Sequence, residues 1–210
     1  MRKFIVAGAL VALSAFTAGA AHAQGVEFGI KAGANLSKFG GSDSELGGVK
    51  PSNLTGYSFG SFVNFGLGPM ISLQPELLYT QRGSKYNAGG ADTSIKIGYV
   101  DVPVLVVVRP PAAGLKPYAL AGPVFSYRAD CSVEAAAEGV SVSAGCDDDD
   151  FKKTDVGLAL GAGVGFPLGM GTLLFDGRYG LGLTKLVEGD EDVKNRGFAF
   201  SIGYAMRFGF

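Results

Sequence analysis

Residues 198–210 read FAFSIGYAMRFGF. Phe198, Phe200, Ile202, Tyr204, Met206, Phe208 and Phe210 take every even position, and Ala199, Ser201, Gly203, Ala205, Arg207 and Gly209 every odd one. A period of two belongs to a β-strand, because successive side chains point to opposite faces. The run is longer than the roughly ten residues a tilted strand needs to cross a bilayer. Bulky apolar groups fill one face while small ones and an arginine fill the other, the division between lipid and lumen in a membrane barrel.

The same alternation recurs upstream. Val26, Phe28, Ile30, Ala32, Ala34 and Leu36 alternate with Glu27, Gly29, Lys31, Gly33 and Asn35. Further runs are carried by Tyr57, Phe59, Val63, Phe65 and Leu67, and by Ile71, Leu73, Leu77 and Tyr79 against Ser72, Gln74, Glu76 and Arg82. Two more follow the even residues of 156–166, with glycines at 157, 161, 163 and 165 between them, and Leu173, Phe175, Tyr179, Leu181 and Leu183 against Asp176 and Arg178. Residues 95–109 change apolar parity near Tyr99, for which a bulge is expected, and residues 116–127 are apolar on both faces. The expectation is eight strands, with Pro75, Pro103, Pro117 and Pro123 at strand ends or bulges, since proline has no N–H for a ladder.

Short connections (68–69, 110–115, 168–171) alternate with long polar ones (37–53, 83–94, 128–153, 185–196). With an even strand count, this predicts an all-β fold: an eight-stranded antiparallel up-and-down transmembrane β-barrel over residues 24–210. A soluble sandwich or lipocalin-like barrel is the rival; the charged face of the third and seventh strands and the terminal Phe210 decide against it. The longest apolar run, 102–108, contains Pro103 and is far too short for a membrane helix.

The first residues read as a leader. Arg2 and Lys3 precede an apolar run over 4–13, and Ala21-His22-Ala23 offers a small-x-small cleavage site, so residues 1–23 are expected to be a cleaved signal peptide. The single histidine of the 210 residues would leave with it. Without imidazole, the usual base of barrel hydrolases and acyltransferases is missing, and no enzymatic activity, catalytic residue, cofactor or metal site is expected. Glycine makes up 34 residues without a collagen period, while mean hydropathy of +0.26 excludes a disordered chain. Eighteen basic residues against 19 acidic ones supply no basic stripe for nucleic acid.

An eight-stranded barrel is just wide enough to be filled by side chains. Parity sends Glu27, Lys31, Glu76, Arg82, Asp101, Asp155, Asp176, Arg178 and Arg207 inward. Counting from the short turns puts Lys31, Glu76, Asp176 and Arg178 near mid-height and Asp101 slightly above, a lumen charge plug or, alternatively, a narrow ion path. Cys131 and Cys146 lie in the third long connection, and an isolated pair in an oxidising compartment reads as a disulfide, with metal binding the weaker alternative. The acidic runs 147–150 and 190–192 read as solvated loop charge or a divalent-cation contact.

Residues 73–85 (LQPELLYTQRGSK), 99–105 (YVDVPVL), 116–123 (KPYALAGP) and 176–183 (DGRYGLGL) resemble the conserved segments of the PorT-like family of small outer-membrane β-barrels. The resemblance covers essentially the whole chain after residue 23. It implies residence in the bacterial outer membrane of a Gram-negative envelope and carries no catalytic residue over. The final strand, through Tyr204, Met206, Phe208 and Phe210, is similar to the signal read by barrel assembly machinery. The partners expected are outer-membrane lipid, that machinery, and an extracellular ligand or envelope partner at the loops, with a monomer as the oligomeric state. The functional expectation is a structural, adhesion or partner-binding surface protein; the alternative is a narrow channel or an accessory subunit of a transport or secretion complex.

Overall fold

The computed structural model describes residues 25–45, 47–88, 91–137, 140–146, 152–186 and 193–208. The expected leader, both acidic runs and Phe210 lie outside the described residues. The strands are β1 (Val26–Gly40), β2 (Ser52–Gly66), β3 (Ile71–Ala88), β4 (Ala91–Val108), β5 (Lys116–Ala137), β6 (Val140–Gly145), β7 (Thr154–Leu168), β8 (Gly171–Gly182) and β9 (Lys194–Phe208).

Each wall strand pairs antiparallel with the next, β1 pairs with β9, and β4 pairs with β5, so eight strands close in the order β1-β2-β3-β4-β5-β7-β8-β9. Closure leaves the wall with no unpaired edge. The seam β1–β9 is among the longest ladders, running from Val26↔Phe208 to Gly40↔Lys194. The ninth strand, β6, stands outside the wall and pairs with the far end of β5.

The alternation becomes an outside and an inside. Ile30, Phe59, Leu77, Leu160, Phe200 and Ile202 face outward and are exposed, whereas Lys31, Glu76, Asp101, Asp155 and Asp176 face inward and are buried. A water-soluble barrel would bury the first set, and nothing covers that apolar band here. The glycines of the inner face make room for large lumen residues: a Cβ on Gly29 would lie 2.2 Å from Phe62 Cζ, and one on Gly163 would lie 2.4 Å from Tyr118 Cζ.

Three expectations are corrected. In β4 the parity does not change: Ile97, Tyr99, Asp101, Leu105 and Val107 are all buried on the odd face. The apparent switch arose because the upper lumen is apolar too. The bulge sits on the partner strand, where Gly98 pairs with Asp130 and Tyr99 with Arg128, leaving Ala129 as the extra residue. Pro117 is at the start of β5, but Pro75, Pro103 and Pro123 pair in mid-strand with Val104, Val124 and Leu158. The β3–β4 ladder passes from Pro75↔Val104 to Leu78↔Asp101 without a change of register, so missing N–H groups drop rungs and the neighbours hold the alignment.

The third correction concerns the long connections. Most of 83–94 and much of 128–153 are strand: β3 and β4 pair up to Ala88↔Ala91, and β5 and β6 up to Ala137↔Val140. These segments are polar because they rise beyond the lipid, and a ladder of backbone hydrogen bonds does not require an apolar face. The wall is consequently uneven. The β4–β5 ladder continues to Ala91↔Ala137, whereas β7–β8 stops at Gly157↔Gly182.

Candidate functional site

From the short-turn end upward, the lumen is built in layers. At the mouth, Glu27 accepts from Arg109 Nη1 at 3.1 Å and from Arg207 Nη2 at 3.1 Å, and Arg109 also reaches Asn64 Oδ1 at 3.3 Å. Above it lies an apolar layer of Phe62, Leu105, Val107, Tyr118, Leu120 and Leu174, all buried in one cluster. The Arg109 guanidinium stacks over the Tyr118 ring at 5.7 Å.

Mid-height holds a closed ring of two acids and two bases. Arg178, on β8, grips Glu76, on β3, with both terminal nitrogens, at 2.7 and 2.9 Å, and its Nε reaches Asp176 Oδ1 at 2.6 Å. Lys31, on β1, completes the ring with Nζ 3.1 Å from Asp176 Oδ2 and 3.4 Å from Glu76 Oε1. Neutral donors fill the remaining lone pairs: Gln74 Nε2 donates to Glu76 at 2.7 Å, and the Ser201 and Tyr118 hydroxyls donate to Asp176 at 2.9 and 3.2 Å. Lys31 Nζ also stands 5.5 Å from the Phe62 ring centre, seating the ring of charges on the apolar layer.

The side chains of Glu76, Asp176 and Lys31 are at most 4% exposed and that of Arg178 is 10% exposed, so these charges have little water. Buried charges persist when opposite charges and hydrogen bonds offset their desolvation, and a ring of net charge zero with a bidentate arginine meets both conditions. In such an arrangement every acid is already committed to a base.

Asp101 is not in this ring. It pairs with Arg82, which also donates to Ser126 Oγ at 3.4 Å and stacks over Tyr99 at 5.2 Å. Higher still, Asn195 Nδ2 donates to Asp155 Oδ2 at 3.0 Å and to the Tyr99 hydroxyl at 3.3 Å. A cavity of about 120 Å³ lies between the ring and this upper layer. A second apolar cluster packs Phe39, Tyr86, Ile97, Tyr99, Leu186 and Val193 together in the upper lumen. Burial raises the pKa of the Tyr86 phenol, whose hydroxyl donates to the Ser44 carbonyl at 3.0 Å. Among the described residues, no group of three or more His, Cys, Asp or Glu gathers as a metal cluster.

Cys131 on β5 and Cys146, just past β6, form a disulfide with Cα atoms 5.4 Å apart. It staples the base of the β5–β6 hairpin, and Cys131 packs against the upper apolar cluster. Tyr204 and Met206 lie on the outer face of β9 and Phe208 pairs in register with Val26. The Tyr204 hydroxyl donates to the Leu168 carbonyl at 3.0 Å.

The family described as outer membrane protein beta-barrel domain matches residues 21–188. The chain belongs to that family. It is an outer-membrane β-barrel protein, located in the bacterial outer membrane. Two solved structures share the fold. Neisserial surface protein A is 17% identical with a TM-score of 0.51, over 86% of this chain and 97% of that one. The outer membrane protein OprG from Pseudomonas aeruginosa is 14% identical with a TM-score of 0.54, over 90% of this chain and 98% of that one. No curated protein sequence matches the chain.

Several lumen residues escaped the sequence reading. Asn195 falls in a segment that reads as loop, and Tyr118 is hidden in a strand apolar on both faces. Gln74 and Ser201 carry no charge to mark them, although inward parity placed both on the right face.

Proposed function

We propose that this outer-membrane barrel is a non-enzymatic surface protein with a closed, side-chain-filled lumen, presenting its extracellular hairpins to a ligand, an envelope partner or another cell. The observation that carries the reading is the stacking of a neutral charge ring on an apolar layer: Lys31, Glu76, Asp176 and Arg178 on Phe62, Leu105 and Tyr118. An ion moving along the axis would have to break charge-assisted bonds and then pass between a buried apolar cluster and Asn64, Ser72 and Gln74, whose polar groups are already hydrogen-bonded to one another. The extended β3–β4 and β5–β6 hairpins, the latter closed by a disulfide, support a display role. The likeness of four segments to PorT-like barrels belongs to this proposal as well, together with a monomeric state, insertion by the assembly machinery and no dealings with nucleic acid.

The narrow-channel reading rests on the inward charges alone, and here all four of the ring are engaged with one another. The test is conductance of the refolded protein in a planar bilayer. The expected trace is flat. Stable stepwise currents that disappear in Arg178→Gln would favour the channel.

A further inference from the structure

On the outer wall, the apolar band along the β1–β9 seam ends abruptly. Phe28, Ile30 and Leu36 on β1 and Phe198, Phe200 and Ile202 on β9 are exposed to the outside. From Val26 to Leu36, at the rise and tilt of a barrel strand, the band is about 25 Å tall, the height of the lipid-facing band of such barrels. The next outward position on each strand is a cation, and Lys38 pairs directly with Arg196 across the seam. Counting therefore sets both at the level of lipid head groups.

Like charges directly opposite one another on a sheet are destabilising. Among the described residues neither Lys38 nor Arg196 makes a hydrogen bond or an ion pair. The carboxylates of β1, β2, β8 and β9 are Glu27 and Asp176, and both are turned inward and paired with arginines. Lys194, the next cation along the seam, is already engaged. The far side of the wall differs, for there Lys96 is matched by Glu134 at 2.6 Å.

Snorkelling would carry the two head groups apart into water. Instead Arg196 folds across the seam onto β1, where glycine leaves it room: a Cβ on Gly40 would lie 2.2 Å from its Nε and 2.4 Å from its Cζ. Gly40 shares its face with Lys38, two residues before it, so both charges gather on one strand. Thr55, opposite Leu36 on β2, is exposed beside them and adds a hydroxyl.

From these observations we propose that the upper end of the β1–β9 seam binds the phosphate of a membrane lipid, whose acyl chains lie along Leu36, Phe198 and Phe200. A phosphate accepts charge-assisted hydrogen bonds from lysine and arginine together and so removes their repulsion. A lipid fits better than free phosphate, because the cations border an exposed apolar band that chains can cover.

The experiment is native mass spectrometry of the refolded barrel in nonionic detergent with dioleoyl phosphatidic acid, with dioleoyl phosphatidylcholine and inorganic phosphate in parallel. Phosphatidic acid should bind saturably and at least about tenfold more tightly than phosphatidylcholine, and Lys38→Gln or Arg196→Gln should each weaken it about fivefold, the worth of one cation at an anionic membrane surface. Lys116→Gln, at the short-turn end of β5, should leave the affinity unchanged. Equal affinity for the two lipids would overturn the proposal, as would equal losses in all three variants, the sign of attraction to net charge alone. Displacement of the lipid by an equal concentration of inorganic phosphate would overturn the assignment to a lipid. In the absence of anionic lipid, Lys38→Gln should unfold at the same or a higher urea concentration, since it removes a repulsion. A lower midpoint would mean that Lys38 is already satisfied within the wall. If the variants do not fold to the heat-modifiable form, the comparison of the two lipids on the unsubstituted protein decides.

Discussion

Glu76 and Arg178 come from strands far apart in sequence, yet they are joined by two hydrogen bonds in a nearly dry ring. Removing one partner strands the other, so Glu76→Gln or Arg178→Gln should each lower unfolding stability by about 3 kcal/mol or more. The double variant should lose less than the two together, with a coupling of about 1 to 3 kcal/mol in urea unfolding from lipid vesicles. Additive losses would show that the two side chains act separately. The four ring residues were legible because a charge at an inward position is conspicuous, and strand counting from the short turns fixes its height. Asp101 was counted with the plug although placed slightly above the four, and it pairs with Arg82 instead of joining them. Height follows from counting, whereas azimuth depends on the ladder between strands, which the sequence does not spell out.

At the scale of elements, the β5–β6 hairpin and the β1–β9 seam behave differently. The disulfide closes a loop of the hairpin and, in the chain-entropy picture, stabilises it by roughly 3 kcal/mol. Reduction should therefore speed amide exchange and proteolysis within residues 131–146 while the heat-modifiable mobility of the barrel stays unchanged, because no wall ladder runs through β6. The seam joins the two wall strands farthest apart in the chain, β1 and β9. Making Phe208 and Phe210 polar should reduce outer-membrane insertion and leave export intact, read as heat-modifiable protein in the membrane fraction against total exported protein. Normal yield would mean that these two positions have no part in assembly. Alternation revealed the lipid-crossing part of each strand with little ambiguity. It failed where strands leave the lipid, since residues such as Ser84, Lys85 and Asn87 continue the ladder with no apolar face to advertise it. It failed again at Tyr99, where an inward apolar cluster imitates a change of phase.

For the molecule as a whole, closure and the proposed orientation imply a sided accessibility that single cysteines can map. Asn87→Cys on the β3–β4 hairpin should react with a membrane-impermeant maleimide on intact cells, and Met170→Cys, 90% exposed at a short turn, should react only after the outer membrane is opened. The native cysteines are paired and should contribute no background. Labelling of both on intact cells would reverse or break the topology. The uneven wall sets how this protein meets large and small objects. Four more rungs on β4–β5 than on β7–β8, at the rise and tilt of a barrel strand, lift one side by about 10 Å. Seen in silhouette the barrel is a visor. In the proposed orientation a flat, bulky body strikes the raised brim first, while a small one can touch the wall at either height.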